Sequence, residues 1–212
     1  MKINASDVLV IPAGITIVIP VKGFALNLGT INNTGIISNE GILENMQNDS
    51  LGTIDNIGTL ENMGILNNYG NLINKVTQNN EGDFIIIHGS AIHNSGIINN
   101  SGEIIGDATI ENLNIINNFH NSTMNNTDAE IENNFEAIIN NYGFLGSNLS
   151  GFITNKGILN NYGSLILHNT GTHSSITNNG TLNNSCRSNF TTSGTITGIP
   201  MNNLPCTNEI IG

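Results

Sequence analysis

Gly29-Thr30-Ile31-Asn32-Asn33-Thr34, Gly35-Ile36-Ile37-Ser38-Asn39-Glu40 and Gly41-Ile42-Leu43-Glu44-Asn45-Met46 follow one another without a break. Each is the unit Gly-x-Ile/Leu-x-Asn-x. The beat returns at Gly52, Gly58, Gly64, Gly70, Gly96, Gly157 and Gly180. A short fixed period describes one small unit stacked many times, in which each turn of chain touches only its neighbours. A helix is excluded, because Gly costs about 1 kcal/mol at each helix-interior position and Asn and β-branched Ile add to that. In an extended chain side chains alternate, so Gly, Ile and Asn share one face and the three x positions share the other. Each unit is then a short strand ending in a corner at Asn-x-Gly. Asn and Gly suit a corner because both accept left-handed backbone angles.

The paired Asn steps estimate the size of a coil. Asn99-Asn100 and Asn117-Asn118 are 18 apart, and Asn140-Asn141, Asn160-Asn161 and Asn178-Asn179 follow at spacings of 20 and 18. Three hexads make 18, so the expected fold is an all-β, single-stranded β-solenoid, triangular, with about 18 residues per coil and about ten coils. A two-sided coil of 12 is the alternative. The Ile and Leu of successive coils would form a dry interior. The Asn at position five would stack in a self-satisfying amide column, since an amide carries both donor and acceptor. That column includes Asn33, Asn39, Asn45, Asn56, Asn62, Asn68, Asn100, Asn118, Asn141 and Asn161.

Composition narrows the function. Asn supplies 42 of the 212 residues and Ile 35, against only 5 Lys plus Arg, and the net charge is -11. Nucleic-acid binding needs clustered Lys and Arg, which this chain lacks. No apolar run approaches the roughly 20 residues that span a bilayer, so membrane insertion is not expected. Met1-Lys2-Ile3-Asn4-Ala5-Ser6-Asp7 lacks the apolar core of a signal peptide. A virion or cell surface is the favoured location, with a cytoplasmic filament as the alternative.

Three domains are expected: a β cap over 1–28, the hexad solenoid over 29–185 and a second cap over 186–212. The first holds two β runs punctuated by Pro12 and Pro20, which suits a blocked edge. In the last, Cys186 and Cys206 are 20 residues apart, close to one coil, so a disulfide can form between adjacent rungs. The rhythm fails at Gln47–Leu51, Asp83–His93, Phe119–Glu136, Leu145–Ser150 and Leu167–Ser175, where surface loops are expected. All five His lie in or beside these breaks. His88, His93, His168 and His173 form two pairs and would be the candidates for a metal, but no metal, cofactor or catalytic group is expected. The residue before Gly is Tyr69, Tyr142 and Tyr162 in three Asn-Asn-Tyr-Gly steps, with Met46, Met63 and Leu113 in the same slot. An outward row of this kind would make an association stripe.

Hexad solenoids occur in the left-handed acyltransferases, but the Asn two after the aliphatic residue departs from that unit. The Gly-x-Ile steps resemble bactofilins more closely. Ile11-Pro12-Ala13-Gly14 and Gly64-Ile65-Leu66-Asn67-Asn68-Tyr69-Gly70 resemble the Asn- and Gly-rich hexad-repeat β-solenoid surface proteins of viruses and bacteria, over nearly the whole chain. That resemblance implies a non-enzymatic structural rod, such as a virion fibre, sheath or adhesin-like stalk, associating with itself or with another structural protein. The alternative is a module that binds glycan through a solenoid face or its loops. An ice-binding face would need regular Thr rows, and Thr30, Thr53, Thr59, Thr109 and Thr181 are interrupted by Ile and Glu. An enzyme is third, since solenoid lyases and hydrolases use clustered carboxylates with Arg or Lys in a groove, and Arg187 is the only Arg in the chain.

Overall fold

The computed structural model describes residues 1–46, 52–87, 90–148, 150–168, 175–192 and 194–205. Among these residues there is no helix. Thirty short strands form three parallel sheets of ten, and each sheet takes every third strand in chain order. The first sheet runs from Lys2–Ile3 to Asn189–Thr192, the second from Val8–Ile11 to Thr195–Gly198, and the third from Thr16–Ile19 to Asn202–Leu204. The chain is therefore a β-solenoid with three strands per turn. Segment 1–28 supplies the first strands of all three sheets, and the strands beyond Cys186 continue the same order.

Strand alternation does what the hexad implies. In Thr53–Asn56, Thr59–Asn62 and Ile65–Asn68 the second and fourth residues are buried and the first and third are half-exposed. The second residues, Ile54, Leu60 and Leu66, are fully buried and belong to one apolar cluster that runs from Ile3 to Leu182. Each such side chain contributes roughly 1.5–3 kcal/mol relative to exposure.

Coil length follows from the corners. From Asn100 to Asn118 all three corners are two residues long and the step is 18. Longer coils carry a four-residue turn in place of a two-residue corner. Pro20–Gly23, Phe119–Ser122 and Asn134–Ala137 are three of these, closed by bonds of 2.6, 3.3 and 3.1 Å from the fourth N–H to the first carbonyl. Their third residues, Lys22, Asn121 and Glu136, have φ of 66, 62 and 65°, the signature of a type II turn. Together with the three-residue corner at 127–129 these turns give steps of 20 to 23 residues, and the average coil is about 20 residues rather than 18.

Two corner expectations are corrected. Among the described glycines only Gly14 and Gly198 have positive φ. The corner glycines are required for a different reason: a Cβ on Gly64 would lie 2.2 Å from the Gly41 carbonyl oxygen, and one on Gly82 would lie 2.1 Å from that of Gly64. Where these glycines stand, successive coils meet backbone to backbone and leave no room for a side chain, whereas Val76, Ala108 and Asn114 take the same slot at other corners. The breaks in rhythm are also not simply loops. Asp83–Ile86, Thr123–Asn126 and Glu130–Asn133 are strands in register with their neighbours, so the coil persists where the hexad lapses. Gln47–Leu51 lies outside the described residues.

Candidate functional site

The buried Asn residues form three columns, one at each corner of the triangle. At the end of the second sheet Asn33, Asn56, Asn74, Asn94, Asn112, Asn133, Asn155 and Asn178 are linked by amide–amide bonds of 2.7–2.9 Å. At the end of the third, Asn39, Asn62, Asn80, Asn100, Asn118, Asn141, Asn161 and Asn184 are linked at 2.7–2.8 Å. In both columns each Nδ2 donates toward the C-terminal end of the rod. The second N–H of most rungs goes to a main-chain carbonyl, as from Asn100 to Thr123 at 2.9 Å. The amide thus fastens one coil to the next strand of the coil above. The third column, Asn27–Asn45–Asn68, is short, because Ile86 and Gly106 take the next two positions in register. Above that gap, Asn126 Nδ2 and Ser147 Oγ are buried without a hydrogen-bond partner.

A fourth ladder lies on the outside. On the outer face of the third sheet Asn79, Asn99, Asn117, Asn140, Asn160, Asn183 and Asn202 are linked by six side-chain bonds of 2.8–3.2 Å. Here each Nδ2 donates toward the N-terminal end, opposite to the two long buried ladders. Beside it runs the row Thr77, Ile97, Ile115, Ile138, Ile158 and Thr181. From Thr77 to Asn202 the outward strand positions of this sheet carry no charged residue. The second sheet differs. Its outer face and corners hold the ion pairs Lys75–Asp55 at 2.8 Å and Lys156–Glu132 at 2.5 Å and a hydrogen bond between His93 Nδ1 and Glu111 Oε2 at 2.7 Å. The Glu132 carboxylate, through its hydrogen bond and its charge, raises the Lys156 pKa.

The aromatic slots divide between corners. Tyr142 and Tyr162 follow Asn141 and Asn161 at the end of the third sheet, and their rings stack with centroids 4.9 Å apart and planes at 13°. His120 tilts against Tyr142 at 5.9 Å. Burial, and then the neighbouring Tyr162, push the Tyr142 pKa up from its ordinary 10.0. Tyr69 follows Asn68 at the end of the first sheet and sits at a different corner, as does Met46. Met63 shares the corner of the Tyr pair, and Leu113 occupies the remaining one.

Of the candidate metal residues, His93 pairs with Glu111 on the adjacent coil. His88 and His173 and the side chain of His168 lie outside the described residues. Among the described residues no group of three or more His, Cys, Asp or Glu converges as a metal site would. Glu130 and Glu132 take the outward positions of their strand, half-exposed. Cys186, just past Thr181–Ser185, is disulfide-bonded, and Cys206 lies outside the described residues. No described helix is long and apolar enough to cross a membrane. No protein-family model matches this chain, and neither a curated protein nor a solved structure matches it significantly.

Sequence reasoning missed the outer ladder, although its signal was present. Neighbours on a strand face opposite ways, so every Asn-Asn pair at a strand end places one amide inside and one outside. The pairs of the third sheet are Asn79-Asn80, Asn99-Asn100, Asn117-Asn118, Asn140-Asn141, Asn160-Asn161 and Asn183-Asn184. Asn178-Asn179 does not belong to this series. Asn178 ends a strand of the second sheet.

Proposed function

We propose that the chain is a non-enzymatic structural rod at a virion or cell surface, acting by rigidity and by association with itself or a partner. The observation that carries this reading is the pair of buried Asn ladders, each continuous over eight coils. Each rung ties its coil to the next, so the stack resists opening at any single coil. Ten strands at about 4.8 Å make a rod of roughly 45–50 Å. The disulfide at Cys186 supports an oxidising surrounding.

Electron microscopy of the purified chain at raised concentration, with sedimentation velocity, tests the proposal. Slender particles about 50 Å long that join into fibres or bundles are expected. Isolated compact particles with a near-spherical frictional ratio would overturn it. A second reading, a binding module, is favoured by one feature: the uncharged outer Asn ladder that runs beside the stacked Tyr142 and Tyr162.

A further inference from the structure

We propose that the outer face of the third sheet, from the coil of Thr77 to the coil of Thr181, binds a neutral polysaccharide laid along the rod axis. The inference adds a ligand to the rod and does not depend on the rod's self-association.

Amide valence is the first ground. A primary amide has two N–H donors and two acceptor lone pairs. Asn140 gives one N–H to Asn117 and accepts one from Asn160, at 3.0 and 2.9 Å. One N–H and one lone pair are left over on this outward, half-exposed side chain. Neighbouring rungs repeat that vacancy every coil, at about 4.8 Å. The ladder bonds hold the amides in one orientation, so little side-chain freedom is lost on binding. A sugar hydroxyl is itself both donor and acceptor, and a saccharide chain repeats such groups at comparable intervals.

Charge is the second ground. The chain carries -11 overall, yet this face has no charged strand position from Thr77 onward. Asp55, Glu111 and Glu132 and their Lys and His partners lie on the second sheet and its corners, and Glu61 and Glu81 lie only at the N-terminal end of this face. A polyanion would be repelled by the whole molecule and a polycation would be drawn to the second sheet. An uncharged ligand is the one this face suits. The stacked Tyr142 and Tyr162 border it and add two hydroxyl groups and apolar ring edges.

Area is the third ground, and it decides against a second copy of the chain as occupant. Six coils at about 4.8 Å by four residues at about 3.3 Å give a field of roughly 380 Å². Stable protein interfaces bury about 800 Å² on each partner. The face falls short of that by about half, and a second copy would add charge repulsion. A narrow chain of sugar residues needs no such width.

The test is retention of the full chain on insoluble neutral polysaccharides, namely cellulose, chitin and a β-1,3-glucan, with heparin–agarose as the polyanion control. Retention on at least one neutral matrix and none on heparin is expected. Asn140→Thr with Asn160→Thr keeps β-forming residues at outward positions and removes two rungs. With neutral hydrogen bonds at their usual net strength, about tenfold or more weaker retention is expected. Ile138→Glu places a charge in the same field and should weaken retention similarly. Thr109→Ser, on the outer face of the second sheet, should leave it unchanged. Circular dichroism confirms that each variant keeps its fold. No retention on any of the three matrices overturns the proposal, as does equal retention by all variants. Self-association lost with Asn140→Thr and Asn160→Thr would also overturn it, by assigning the face to a second copy. Rods in the microscope without retention would sink this inference and leave the rod standing.

Discussion

Gln78 occupies a core position in the third sheet, aligned with Leu60 on one side and Ile98 on the other. It is fully buried, and neither Nε2 nor Oε1 has a hydrogen-bond partner. An amide buried without partners costs about 1–3 kcal/mol on the scale of protein substitutions. Gln78→Leu removes both orphaned atoms and places in the column the residue type found below it. The substitution should therefore stabilise the chain by about 1–3 kcal/mol, a substantial part of the 5–15 kcal/mol typical of folded proteins. At this chain length that is a rise in Tm of about 2–4 °C per kcal/mol. Urea denaturation followed by circular dichroism reads the effect, and a shift of midpoint at unchanged slope assigns it to stability. The reverse change, Leu60→Gln, should destabilise by a comparable or larger amount, because it adds a second unpaired amide and loses apolar burial. If Gln78→Leu lowers the midpoint instead, the amide is satisfied by an internal water and the reasoning fails.

Three further outcomes are expected. Gly64→Ala should cost about 1–3 kcal/mol or more, because the new Cβ would sit 2.2 Å from the Gly41 carbonyl oxygen; Gly14→Asn, where φ is 82° and nothing lies within 4 Å of a Cβ, should cost far less in the same melting assay. Asn100→Ala should lower stability by about 2–4 kcal/mol, since it deprives Asn80, Asn118 and the Thr123 carbonyl of partners at once, whereas Asn184→Ala at the last rung should cost less. Tyr142 titrates above its ordinary 10.0 in the folded chain. The native state then holds that proton more tightly than the unfolded one. Its contribution to stability is complete below pH 10.0 and is lost as pH rises through the folded pKa. Ultraviolet titration of the phenols should show Tyr142 ionising late, and Tyr162→Ser should move it back toward 10.0.

How far the sequence could be read depended on which face a residue serves. The inward half of each strand is constrained by a closed interior, so Ile54, Leu60 and Leu66 and the Asn after each repeat almost without error. Strand identity, three strands to a coil and the amide columns were legible for that reason. The corners were harder. A two-residue corner and a four-residue turn both fit between the same strands, and inserting Phe119–Ser122 or Asn134–Ala137 shifts the count without disturbing the core. A spacing taken along the chain could also compare different sheets: Asn160-Asn161 ends a strand of the third sheet and Asn178 ends one of the second. The Tyr slot was misjudged in the same way. Tyr69, Tyr142 and Tyr162 share a position in the hexad, but only the last two share a corner. The need for Gly was legible and its reason was not, since close approach between coils is a property of the stack and leaves no mark within a single hexad.

The outer ladder shows why position within the hexad and position on the rod must be separated. An inward Asn is bound to its column by burial, because an unpaired amide there costs what Gln78 costs. An outward Asn has no such constraint, since water would satisfy it equally well. The third sheet nevertheless carries outward Asn on six successive coils and again at Asn202, while the equivalent positions on the second sheet hold Asp55, Ile73, His93, Glu111 and Glu132. A fold that required outward amides would place them on all three faces. On the other two they are scattered, as at Asn32, Asn67, Asn71 and Asn125, whereas the third sheet carries them on successive coils with no charged outward position from Thr77 onward, and that contrast separates what builds the solenoid from what the solenoid displays.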